Sequence, residues 1–99
     1  MAKKRKPTKA ESEHMDRVAQ LGCIVCINNG YRDTPAEIHH PRTGVGGAQR
    51  SPHTTVLPLC PIHHRTGGHG IAIHAGQETW EALYGTETEL LHQVEGLLA

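Results

Sequence analysis

The chain has no Phe, one Trp and two Tyr in 99 residues. So few large side chains leave a thin apolar core. A domain this size buries only about 60–70% of the surface that its unfolded chain exposes, so it often needs a staple. There is no net charge either, with 10 Lys+Arg against 10 Asp+Glu, which argues against a uniformly basic nucleic-acid binder. No apolar run approaches the roughly 18–20 residues of a membrane span, and no signal-peptide core follows the basic start. The expected setting is cytoplasmic, away from membranes. Three Cys cannot form a full disulfide set, which fits a reduced cytosol. There is no internal repeat.

What is plentiful is histidine: nine His, three times the number of aromatics. The zero charge is itself a sum of unlike parts. Lys3, Lys4, Arg5, Lys6 and Lys9 make the first ten residues +5. The middle balances, and residues 77–99 carry Glu78, Glu81, Glu87, Glu89 and Glu95 with no cation. Residues 1–9 therefore read as a disordered basic tail and 10–99 as one domain. Five cations free to meet phosphates would give a salt slope of about −4 to −5.

Local signals order the domain. Thr8-x-x-Glu11 is a capping box that opens a helix ending near Gly22, with Met15, Val18 and Ala19 as its buried stripe. Asn28-Asn29-Gly30 is a turn signal. Residues 36–40 and 54–57 read as short strands, and Pro61 opens a helix through His63-His64 that Gly67, Gly68 and Gly70 stop within about two turns. Residues 71–74 are expected to be extended or loop-like. Gln77 to Tyr84 is a helix with Trp80, Leu83 and Tyr84 on one side. A second capping box, Thr86-x-x-Glu89, opens a closing amphipathic helix marked by Leu90, Leu91, Val94, Leu97 and Leu98.

Cys23-x-x-Cys26 and Cys60-x-x-His63 are two knuckles of equal internal spacing. A two-residue gap lets a tight turn aim both ligands at one ion, and four ligands complete a tetrahedron. Thiolate and imidazole are borderline-soft donors, so the donor set fits a structural zinc. Such a site contributes about 10–16 kcal/mol, comparable with the roughly 5–15 kcal/mol net stability of a whole domain. Zinc would be the staple.

Other histidines lie outside that set. His39 and His40 end the first strand, His64 follows His63, and His69 and His74 sit in a glycine-rich stretch. Neighbours on a strand point to opposite sides, so His39 and His40 have different jobs. One can hold a metal while the other reaches a water or substrate. His14, His53 and His92 are read as bystanders.

The run His39-His40, a glycine-rich loop, a strand into Pro58-Leu59-Cys60-x-x-His63-His64 and further His resembles HNH nucleases of the His-Me finger (ββα-metal) class. Cys23-Ile24-Val25-Cys26, Ile38-His39-His40 and His64-Arg65-Thr66-Gly67-Gly68-His69-Gly70 resemble, more narrowly, the phage recombination-enhancement (Ref-type) RecA-dependent nucleases. The resemblance implies a small α+β fold. Its ββα-metal core, stapled by zinc, would be flanked by an N-terminal helix and C-terminal helices. It also implies a phage DNA endonuclease at work in a bacterial host cell, directed by RecA filaments on single-stranded DNA. His40 would be the general base. His39, His64 and either His74 or His69 would hold a catalytic Mg²⁺, Mn²⁺ or Zn²⁺. The sequence departs from the pattern twice. Gly68 stands where a last ligand is usual, and Thr55 stands where the base is usually braced, with His53 as a substitute. Arg42, Arg50 and Arg65 join the basic tail as DNA contacts.

The alternative is a non-catalytic zinc knuckle that docks on nucleic acid. It accounts for Cys23, Cys26, Cys60, His63 and the lysines, and leaves the second histidine set without a role.

Overall fold

The computed structural model describes residues 6–41 and 55–99. Lys3, Lys4, Arg5, Arg42, Arg50 and His53 lie outside the described residues. The elements run α1 (Lys9–Gln20), α2 (Ile24–Asn28), β1 (Glu37–His39), β2 (Leu57–Leu59), a wide turn (Ile62–Thr66), a 3₁₀ turn (Ile73–Ala75), α3 (Gln77–Tyr84) and α4 (Glu87–Leu98). This is a small α+β fold.

Both capping boxes form. Thr8 and Glu11 exchange side-chain and backbone hydrogen bonds at α1, and Thr86 and Glu89 do the same at α4. Each pairs two backbone N–H groups that a helix start leaves without partners. Beyond α1, Gly22 turns left-handed at φ +85°, where a Cβ would come 3.2 Å from the Thr34 carbonyl. That reversal delivers Cys23, whose N–H donates to the same carbonyl at 3.1 Å. The first metal-type ligand is thus positioned by backbone alone.

The strands are antiparallel, with Glu37 opposite Leu59, Ile38 opposite Pro58 and His39 opposite Leu57. A two-stranded ribbon is all edge, so Pro58, which has no N–H to give, is tolerated. The second strand begins three residues later than its β-branched run implies, because Thr55 forms a bend and Val56 only leads in. Propensity marks a pleated, half-buried surface; which residues face β1 decides the pairing. The helix expected after Pro61 is one wide turn, closed by Gly67 N–H donating to Ile62 C=O at 3.0 Å. Residues 73–75, expected to be extended, form the 3₁₀ turn.

Val18, Ile24, Val25, Leu57, Leu59, Trp80, Leu90 and Val94 share one core with Cys23 and Cys60. Trp80 is fully buried and meets Tyr84 edge-on at 5.4 Å, and Tyr84 in turn meets His63 at 5.5 Å. The C-terminal hairpin therefore packs directly on a metal-type ligand. Leu83 and Leu97, expected on buried faces, are 61% and 46% exposed. The core closes over one to three residues per helix and leaves the stripe edges in water. No described helix is long and apolar enough to cross a membrane.

Candidate metal centres

Two separate clusters of metal-type side chains form among the described residues. In the first, Cys23 precedes α2, Cys26 lies on it, Cys60 follows β2 and His63 sits on the wide turn. His63 Nδ1 lies 3.1 Å from Cys60 Sγ and 3.7 Å from both Cys23 Sγ and Cys26 Sγ. Cys26 and Cys60 Sγ are 4.0 Å apart. A tetrahedron with Zn–S of about 2.3 Å and Zn–N of about 2.0–2.1 Å has edges near 3.6 Å for S···N and 3.8 Å for S···S. Three of these four separations lie within about 0.2 Å of those edges, and the His63–Cys60 separation, at 3.1 Å, is shorter. Burial pushes the Cys23 thiol up to about 12, so a thiolate there needs a cation beside it. Burial also lowers the His63 pKa, favouring the neutral imidazole that ligates metal.

The second cluster joins His39, His64 and His74, with ligand atoms all within 4.8 Å of one another. His64 Nε2 and His74 Nε2 are 2.9 Å apart. Two ligands about 2.0–2.1 Å from one ion at right angles are separated by about 2.9 Å. The His39 ring stands edge-on to both, with centroids 5.2 Å from His64 and 5.4 Å from His74. His69 is exposed and outside the group; its ring occupies the space a Cβ on Gly76 would need, with Cδ2 2.7 Å from that position. Of the two rivals for the last place, His74 joins the cluster because the 3₁₀ turn carries it back over the wide turn.

Two carboxylates hold this cluster from behind. His39 Nε2 donates to Glu87 Oε2 at 2.6 Å, and His64 Nδ1 donates to Glu37 Oε1 at 2.9 Å. A carboxylate only accepts, so these nitrogens carry the protons. His39 Nδ1 and His64 Nε2 are left as lone-pair donors. Metal-ligating histidines are held this way. The Arg65 guanidinium, followed by His64, holds the Glu37 carboxyl down at about 2, and Glu37 raises the Arg65 pKa in return.

A family model described as recombination enhancement, RecA-dependent nuclease matches residues 7–99. The chain belongs to that family. A search of curated proteins finds no match. Membership places the chain among nucleases, and the match takes in every residue of both clusters.

Within this family member the remaining candidates fall as follows. His40 follows β1 and is half-buried, Thr55 is exposed on the bend before β2, and Lys6 and Lys9 are exposed. Arg65 gives Nε and Nη2 to Glu37 at 2.9 and 2.6 Å. His14 and His92 both line a groove at α1 and α4 that Thr55 also lines. The carboxylates are the residues sequence reasoning missed. Glu37 carries a signal, since it shares a strand face with His39 two residues later. Glu87 carries none, because only the tertiary fold brings the start of α4 to β1.

Proposed function

We propose that this family member is a metal-dependent DNA endonuclease of the HNH (His-Me finger, ββα-metal) type, phage-encoded and directed by RecA filaments in the host cytoplasm. The observation that carries the reading is the His39–His64–His74 cluster, with two rings braced by carboxylates and ligand spacing suited to one ion. The β1–β2 ribbon followed by a turn bearing His64 supports the ββα comparison. A divalent ion there, Mg²⁺, Mn²⁺ or Zn²⁺, would supply positive charge against the negative charge developing on the scissile phosphate. Cys23, Cys26, Cys60 and His63 would hold a structural zinc that fixes the turn.

His40, beside His39, takes the proton from the attacking water, the general-base role that histidine most often fills. The basic residues at the start of the chain lead into a nuclease domain that α1 opens at Lys9, under its Thr8 cap, rather than at residue 10. Lys3, Lys4, Arg5, Lys6, Lys9, Arg42 and Arg50 meet DNA phosphates. Arg65 joins them through the part of its side chain that Glu37 leaves exposed, 56% of its surface.

The test is cleavage of circular and single-stranded DNA by the purified chain, with and without RecA and ATP, in Mg²⁺ or Mn²⁺. The expected result is metal-dependent cutting that rises with RecA and is lost in His40→Ala. No cutting under any condition, or undiminished cutting by His40→Ala, sinks the reading and leaves the zinc-knuckle binding module in its place.

A further inference from the structure

The fully buried Glu87 is an unusual residue to find inside a domain with so thin a core. An ionised carboxylate is expensive to remove from water unless its oxygens are paired. Both of its oxygens have partners: Oε2 accepts from His39 at 2.6 Å, and Oε1 accepts from Gln77 Nε2 at 3.1 Å. Its backbone N–H donates to Glu81 Oε2 at 2.8 Å. It is also the first residue of α4, where the helix dipole favours a negative side chain.

These contacts tie Glu87 to two elements, β1 through His39 and α3 through Gln77 and Glu81, and one carboxylate oxygen meets a ring nitrogen of His39. We propose that Glu87 is a positioning residue for the cleavage reaction, with Gln77 holding it in turn. It acts only through His39, pinning the ring so that Nδ1 meets the ion shared with His64 and His74. The inference rests on reading that cluster as the catalytic ion site. It also makes the acidic C-terminal hairpin part of the active centre, through Gln77 on α3 and Glu87 on α4.

The experiment measures Mn²⁺ affinity of the zinc-loaded full chain by calorimetry, zinc content by elemental analysis, and DNA cleavage across Mn²⁺ concentration. Glu87→Met keeps length and burial but removes the acceptor; Glu87→Gln restores one. Expected affinities fall from wild type through Glu87→Gln to Glu87→Met, the last by about 10- to 100-fold. Zinc stays at the wild-type level, and excess Mn²⁺ restores much of the cutting. In a His39→Ala background, Glu87→Met has no further effect on Mn²⁺ binding, which a general loss of structure would not produce.

Should Glu87→Met fail to fold, Gln77→Ala serves, with a smaller loss of Mn²⁺ affinity that also vanishes without His39. Unchanged Mn²⁺ binding in both variants, or an equal loss in the His39→Ala background, overturns the role of Glu87. Failure of the underlying reading looks different: the wild-type chain binds no Mn²⁺ beyond its zinc, or His64→Ala still cuts.

Discussion

The two clusters meet at consecutive residues, His63 and His64, yet are built on opposite plans. Cys23, Cys26, Cys60 and His63 would fill all four places around an ion with protein atoms, and none of the four is exposed. His39, His64 and His74 supply three, with His74 on the surface and carboxylates behind the other two. A closed tetrahedron holds a fold; an open set leaves room for a substrate oxygen. The contrast lies in ligand number and exposure, not in residue type alone.

Breaking the closed cluster should have the largest effect. Cys60→Ala, or zinc removal by a strong chelator, should abolish fold and cleavage together, since about 10–16 kcal/mol of metal binding rivals a small domain's net stability. Circular dichroism and elemental analysis check it. A folded, zinc-free variant would show that the core stands alone.

Damage to the open cluster should leave the fold intact. His64→Ala should keep one tightly held zinc and a wild-type melting profile while losing cleavage. His40→Ala should keep both metals and lower kcat by about 10²–10⁴-fold, the usual contribution of a general base. Loss of the tight zinc in His64→Ala would erase the distinction between the sites.

A finer test separates the rival histidines. His74→Ala should weaken Mn²⁺ binding, whereas His69→Ala should leave it at the wild-type level, because only His74 reaches His64. The reverse order would hand the last ligand position to His69.

The smallest effect concerns Glu37. Its folded pKa of about 2 lies below the ordinary 4.5, chiefly through Arg65 and then His64. A depressed carboxyl stabilises the fold fully above its unfolded pKa and loses that contribution as pH falls towards the folded value. The stability gap between wild type and Glu37→Gln should therefore be constant above pH 4.5 and shrink towards about pH 2. Urea unfolding at several pH values measures it, and a gap indifferent to pH would mean that Glu37 is not held charged.

Much of this was legible in the sequence. Capping boxes, Gly85 and the Cys-x-x-Cys and Cys-x-x-His spacings are local features, and local features fix helix ends and knuckles. Strand parity gave His39 and His40 different jobs; β1 ends at His39, and of the two His39 is the one in the cluster. The fold-dependent parts were not readable. The helix expected after Pro61 shrank to one wide turn, β2 moved to Leu57–Leu59, and Leu83 proved exposed. Choosing His74 over His69 needed the path of the chain through the 3₁₀ turn. Glu87 required knowing that a helix 48 residues away in sequence would end beside β1.

His63 and His64 are consecutive, one serving each cluster, on the single turn from Ile62 to Thr66. On the proposed reading, a single peptide bond joins the zinc site to the catalytic one, and assembly acquires an order. Backbone hydrogen bonds close the turn, but His63 would be anchored in the first cluster only once it and the thiolates share their ion, and the same turn carries His64. A newly made chain would then be a latent nuclease whose maturation waits on zinc, with DNA spared until folding is complete.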